Sequence, residues 1–318
     1  VKFSIFIPTG FVHELSGFSD ARDAYDRLVE IAQAADRTGY ESVLAPDHLT
    51  PLPPAPEIVF EAWSLITALA ERTERVRLGL LVGSAGYRNP ALAAKMASTV
   101  DVISNGRLIF GLGAGWHEPD YEQYGFEFGT LKDRSRRLEE AAQIVLGLWT
   151  HDEFSFDGQF YQTKNAINHP KGVQNPHIPL MIAGSGEKVT LRRVARYADI
   201  SNIVEPPDVA RAKYEVLEGH ARDVGRDYDS IHRTVLTLVN LADSDASARE
   251  ALPASAQLLF PGNVADYGLV GTPATVAQRI AAYDEAGVDE LILLFADPTS
   301  VEDVLRFADT FIDATDGI

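Results

Sequence analysis

Arg107-Leu108-Ile109-Phe110-Gly111-Leu112-Gly113-Ala114-Gly115-Trp116-His117-Glu118 is the stretch on which the fold turns. It starts as an apolar strand at Leu108 to Phe110 and passes through three alternating glycines, Gly111, Gly113 and Gly115. It ends in three side chains able to do chemistry, Trp116, His117 and Glu118. A buried strand opening into a glycine-rich turn lets a flat ligand, or another piece of backbone, come close. The glycines do not form a dinucleotide fingerprint, because the third would have to stand at 116, which is Trp.

Outward from this stretch the chain alternates. Short apolar runs read as strands at 3–7, 42–45, 76–82, 107–110, 179–183, 199–203, 231–241 and 290–295. Helical spacing of apolar residues predicts helices near 21–37, 58–71, 90–103, 132–149, 188–197, 208–223, 246–259, 274–286 and 301–312. Asp20 can N-cap the first of these, and Pro90 suits the first turn of the third. Eight strands alternating with helices over 318 residues predict an α/β fold, a closed (β/α)8 TIM barrel rather than an open doubly wound sheet. The rhythm breaks at 151–178, where Phe154, Phe156, Phe160 and Tyr161 flank the hairpin signal Asp157-Gly158. This segment reads as an insertion after the fourth β/α unit of one domain, 1–318.

Composition limits the partners. Lys plus Arg is 28 and Asp plus Glu is 46, a net charge of −18, which argues against nucleic acid or an anionic membrane. An anionic ligand would have to be held by backbone N–H groups and a few local cations. With no cysteine, disulfides and thiolate metal sites are excluded, and no His-Glu-x-x-His spacing points to another metal. No apolar run of about 18 residues occurs, and the N-terminus reads as a strand rather than a signal peptide. A soluble cytoplasmic protein is the expectation, with an initiator Met removed ahead of Val1.

In a barrel, function collects in the loops after the strands. Polar groups there include Asp47 and His48, the segment 84–89, Trp116 to Glu118, and Gly184-Ser185-Gly186. A carboxylate beside an imidazole can fix its tautomer, or the pair can donate to and accept from a heterocycle; a capped turn with a surface histidine is the alternative. Backbone N–H groups at 184–186, the Ser185 hydroxyl and the following helix could hold a phosphate, with Lys188 adding charge; a plain strand-to-helix turn is the alternative. His117 and Glu118 are acid or base candidates, or the opening turn of a helix at Pro119.

Five segments in order carry a resemblance. They are Ala45-Pro46-Asp47-His48; Tyr87 to Ala97 with Thr99-Val100-Asp101; Gly106 to Trp116; Pro179 to Gly186; and Gly271 to Ile280 with Ala286-Gly287-Val288. Together they resemble the bacterial luciferase-like monooxygenase superfamily, and Ala-Gly-Trp-His-Glu with Leu138-Glu139-Glu140-Ala141 looks most like its deazaflavin-dependent branch. The resemblance implies a TIM barrel, usually a homodimer, binding coenzyme F420 or, alternatively, FMN. It implies hydride transfer between the deazaflavin C5 and a small organic substrate; an FMN-dependent monooxygenase and a non-catalytic cofactor-binding barrel are the alternatives. Carried over by residue, a non-proline cis peptide falls at Leu81-Val82, beside Gly83. Asp47 and His48 meet the polar edge of the cofactor. Ala114, Gly115 and Trp116 line ring and arm, and Ala183, Gly184, Ser185 and Gly186 hold the phosphate. His48, Asp47, Trp116 and Glu118 are the catalytic candidates. Some deazaflavin-dependent sugar-phosphate dehydrogenases have an acidic residue where this chain has Trp116, which sets their substrate and acid apart from it.

Overall fold

The computed structural model describes residues 1–312. Its barrel strands are β1 (Lys2–Phe6), β2 (Ser42–Ala45), β3 (Arg77–Leu80), continued by the short β4 (Gly83–Ser84), and β5 (Leu108–Gly113). After an antiparallel hairpin, β6 (Phe154–Asp157) and β7 (Gln162–Ala166), come β8 (Leu180–Ala183), β9 (Ile200–Ile203) and β10 (His232–Leu241). A short β11 (Leu269–Gly271) and β12 (Glu290–Phe295) complete the set. The order β1-β2-β3-β5-β8-β9-β10-β12 is parallel throughout and closes when β12 pairs with β1, giving the eight-stranded α/β barrel. β11 pairs with β10 outside the ring.

The helices are α1 (Ala21–Arg37), α2 (Ala62–Ala70), α3 (Pro90–Ile103), α4 (Glu118–Tyr124), α5 (Leu131–Thr150) and α6 (Thr190–Tyr197). They continue with α7 (Pro207–Asp223), α8 (Asp245–Glu250), α9 (Ala256–Leu259), α10 (Pro273–Glu285) and α11 (Val301–Phe311). Alternation along each strand splits the core in two. Ile5, Val43, Leu78, Leu180, Leu291 and Leu293 face the helices. Phe6, Leu44, Ile109, Met181, Ile292 and Leu294 fill the barrel interior. Both faces are buried, which is why these strands are apolar on successive residues.

Three sequence expectations are corrected. The helix expected from 58 begins at Ala62, because the Glu61 carboxylate caps Trp63 N and Ser64 N while Phe60 N is tied to the Thr9 carbonyl. The helix expected over 246–259 is two pieces, with Pro253, which has no N–H to donate, in the break. The helix expected from 188 starts at Thr190, leaving Lys188 in the preceding turn.

The register beside β5 shifts by one residue: Gly79 faces Ile109, whereas Gly83 faces Leu112. Four residues on one strand thus match three on the other, a bulge that bends the chain at the barrel mouth. The Leu81-Val82 peptide inside it is cis, at the position expected. The insertion sits outside the barrel. Its turn is held by Glu140, which accepts from Gln159 N, Phe160 N and Tyr161 N, and Tyr161 donates its hydroxyl to the Ala85 carbonyl at 2.5 Å.

Candidate active site

Asp47, two residues after β2, is buried and paired. Arg88 Nη1 and Nη2 donate to its two oxygens at 2.6 and 3.0 Å, and Ser84 N donates at 3.2 Å. Arg88 also reaches Glu61 at 2.5 Å. Burial pushes the Asp47 carboxyl up and the Arg88 charge opposes it. Burial likewise disfavours the guanidinium, but its two carboxylate partners more than offset that and hold it above its ordinary range. The bidentate contact keeps this a buried ion pair, with the Asp47 oxygens already committed.

The carboxylate that fixes His48 is a different one. His48 Nδ1 lies 2.9 Å from Asp120 Oδ2, on α4. Asp120 is fully buried and also accepts from Leu49 N (3.2 Å), Thr50 N (2.8 Å), Thr50 Oγ1 (2.6 Å) and the Tyr87 hydroxyl (2.8 Å). Burial raises its pKa, but the bonds from His48, Thr50 and Tyr87 outweigh that and hold it below the usual carboxylate range. An ionised Asp120 places the His48 proton on Nδ1, so Nε2, without a partner among the described residues, is the atom left for a ligand.

Aromatic rings enclose this imidazole. Phe11 stacks on it with ring centroids 3.5 Å apart, and Trp116 and His117 meet it edge-on at 5.6 and 5.4 Å. Trp116 is 57% exposed, forming a wall open to solvent. His117 is buried, its Nε2 has no partner among the described residues, and burial lowers its pKa. Glu118 is exposed at the start of α4, without a partner among the described residues.

The three glycines of the fourth-strand turn do not leave room for a ligand, as a cofactor-clearance reading expects. A Cβ at Gly111 would stand 1.8 Å from the Leu80 carbonyl oxygen, and one at Gly113 2.7 Å from Val82 Cγ2. At Gly115, where φ is +79°, it would meet the Tyr121 hydroxyl at 1.9 Å. The space belongs to the bulge and to Tyr121, which hydrogen-bonds Ser84 at 2.6 Å. Leu81 and Val82 pack at the top of the barrel interior, Gly83 pairs with β5, and Ala114 is half-buried beside Gly115.

Across the mouth, Ala183 ends β8 and Gly184 follows it. Gly184 N is spent on the Asn202 carbonyl, but Ser185 N, Gly186 N and the Ser185 hydroxyl have no partners among the described residues. They border a groove of about 1140 Å³ between the N-terminal turns of α5 and α6. Lys132, Arg136, Lys188, Arg193 and Lys213 line it against Asp133, Glu139 and Glu187, five cations to three anions in a chain of net charge −18. Unspent N–H donors beside excess positive charge fit a phosphate. Among the described residues no cluster of three or more His, Asp or Glu could hold a metal ion.

Sequence reading brought His48, Trp116, the 84–89 segment that holds Arg88 and the 184–186 turn to this mouth; it missed Asp120, Phe11 and the pairing of Arg88 with Asp47. Pro119-Asp120 directly after the glycine turn was the available signal for the first, since proline opens a helix and fixes the next residue in its first turn.

Several known proteins resemble this chain. An FMNH2-dependent dimethylsulfone monooxygenase from Pseudomonas putida is 29% identical over 298 residues, 83% of this chain and 81% of the relative. An F420-dependent glucose-6-phosphate dehydrogenase from Gordonia bronchialis is 33% identical over 228 residues, covering 69% of this chain and 66% of the relative. For such an enzyme from Amycolatopsis mediterranei, at 36% identity, the match spans half of the relative. The fold of an F420-dependent secondary alcohol dehydrogenase, in complex with an F420-acetone adduct, superposes with a TM-score of 0.82 at 20% identity over 97% of both chains. The family model described as luciferase-like monooxygenase matches residues 1–263, and the chain belongs to that family.

Proposed function

We propose that the protein is an F420-dependent oxidoreductase that transfers a hydride between the deazaflavin C5 and a small organic substrate. The observation that carries this reading is His48: its Nδ1 is fixed by Asp120, its Nε2 is free, and Trp116 walls the same space. Bound F420 would supply the hydride chemistry. The protein supplies orientation, and the lone pair on His48 Nε2 takes up the proton the substrate loses as its hydride leaves, returning it in the reverse direction. Asp120 holds the ring by its Nδ1–H so that Nε2 faces the substrate, whereas Asp47 is spent on Arg88 as a buried ion pair. Ser185 N, Gly186 N and the Ser185 hydroxyl hold the cofactor phosphate, and the cations of the groove suit an arm that carries further negative charge, as that of F420 does. Glu118, exposed at the rim, is reserved for substrate contact.

An FMN-dependent monooxygenase is the second reading, favoured by the long match to the dimethylsulfone enzyme. A cofactor-binding barrel without activity would bind tightly and turn over nothing. Titrating the protein with F420 and FMN side by side separates the first two. Trp63 and Trp149 are buried in the core and Trp116 is exposed at the mouth, so quenching reports on Trp116. F420 is expected to quench at concentrations about tenfold below FMN, and Trp116→Phe to remove most of the signal; stronger quenching by FMN transfers the assignment to the monooxygenase.

We also place the protein in the cytoplasm as a homodimer. Leu92, Val102 and Ile103 on α3 and Val173 in the insertion are exposed apolar residues, and Lys95 Nζ joins α3 to the His169 carbonyl. Among the described residues no helix is long and apolar enough to cross a membrane.

A further inference from the structure

A second cavity, of about 240 Å³, opens over the ends of β10 and β12 and the loop after β1. Leu238 and Leu294, its floor, belong to the barrel-interior cluster, so it lies over the barrel rather than on its flank. Leu259 of α9 covers it from the segment after β10. Its near wall, Val12 to Glu14, follows directly on Phe11, the ring stacked against His48. The loop that walls the cavity is thus the one that carries the ring packed on the imidazole.

Its charges differ from those of the phosphate groove. Among the described residues no Lys or Arg lines it. The titratable groups on its wall are His13, Glu14 and Asp297. His13 is tied to Glu57 at 2.8 Å, and Asp297 accepts from Thr299 N and Oγ1 at 3.0 and 2.8 Å. Glu14 accepts from Val12 N at 2.8 Å through Oε2, while its Oε1 is shut off from solvent with no partner among the described residues. Burial pushes this carboxyl up from its ordinary range. An anion entering here would lose water and gain no cation, with Asp297 and Glu14 on the wall to oppose it. An apolar molecule would gain the Leu238, Leu294 and Leu259 surfaces.

We propose that this cavity seats the substrate, and that the substrate is a compact, uncharged, largely apolar alcohol or carbonyl compound, not a sugar phosphate or a carboxylate. This rests on the reading of His48 as the centre of hydride transfer. It gives the two sides of the mouth opposite chemistry: the cationic groove takes the charged cofactor arm, and the apolar-floored cavity with carboxyl groups on its wall takes the reacting molecule. It also separates this chain from its glucose-6-phosphate-oxidising relatives at the level of substrate charge.

The test uses the full chain with F420 bound. Two panels are compared by thermal shift and calorimetry: neutral alcohols and ketones of about four to ten carbons, small enough for this cavity, and sugar phosphates and carboxylates, glucose 6-phosphate among them. Binding is expected from the neutral panel alone. Leu259→Trp, and independently Ser255→Phe, should weaken that binding at least about tenfold with the F420 affinity unchanged within about twofold. The proposal is overturned if an anion binds more tightly than every neutral compound, if no neutral compound binds, or if neutral binding survives both substitutions. If F420 itself fails to bind, the hydride-transfer reading falls, and the panels on the cofactor-free protein still decide the cavity.

Discussion

The two flanks of the barrel mouth are built on opposite plans. On the β2–β5 flank nearly every polar group is spent: Asp47 on Arg88, Arg88 on Glu61, and Asp120 on five donors. On the β8 flank Ser185 N and Gly186 N are unspent and face a groove with surplus cations. A saturated network is rigid and holds a side chain such as His48 in one pose. An unsaturated loop gives its hydrogen bonds to whatever arrives. The first flank therefore suits chemistry and the second suits holding, and substitutions on the two should fail in different ways.

The largest effect is expected from breaking the buried ion pair. Arg88→Met leaves Asp47 and Glu61 uncompensated, at a cost of about 3–5 kcal/mol in folding stability, readable by urea denaturation. A loss under about 1 kcal/mol would mean that the flank is less rigid than its bonding implies. Next comes Asp120→Asn, which keeps the shape but removes the charge that fixes His48. Turnover should fall about tenfold or more, with a loss of about 1–3 kcal/mol in stability. The stability difference has a pH signature. The Asp120 carboxyl is lowered in the folded protein, so its contribution is complete above the unfolded value of about 3.9 and disappears as pH falls through the folded value. Wild type and Asp120→Asn should thus converge in stability on acidification; a gap that persists at low pH would show the loss to be packing alone. The smallest effect belongs to the other flank. Lys188→Ala should weaken F420 binding by about threefold, more at low salt, with turnover at saturation unchanged.

These contrasts explain what the sequence made legible. The strands announce themselves because both of their faces are buried, so apolar runs such as Leu291 to Phe295 need no partner to be recognised. The 184–186 turn is equally local: strand, small residues and helix are contiguous. The saturated flank is not local. Asp47 and Arg88 are 41 residues apart, and His48 and Asp120 are 72 apart, so adjacency pointed to Asp47 as the partner of His48 and the fold supplied Asp120. The glycines misled for a related reason. Their conformational freedom is visible in sequence, but what fills the space, Leu80, Val82 and Tyr121, comes from other elements.

The division between the flanks is tested most directly at His48, by measuring turnover and F420 affinity on the same His48→Ala preparation. Turnover at saturating cofactor should fall by about 10²-fold or more, while the dissociation constant for F420 stays within about twofold of wild type. Unchanged turnover, or a loss of affinity as large as the loss of rate, would contradict the account.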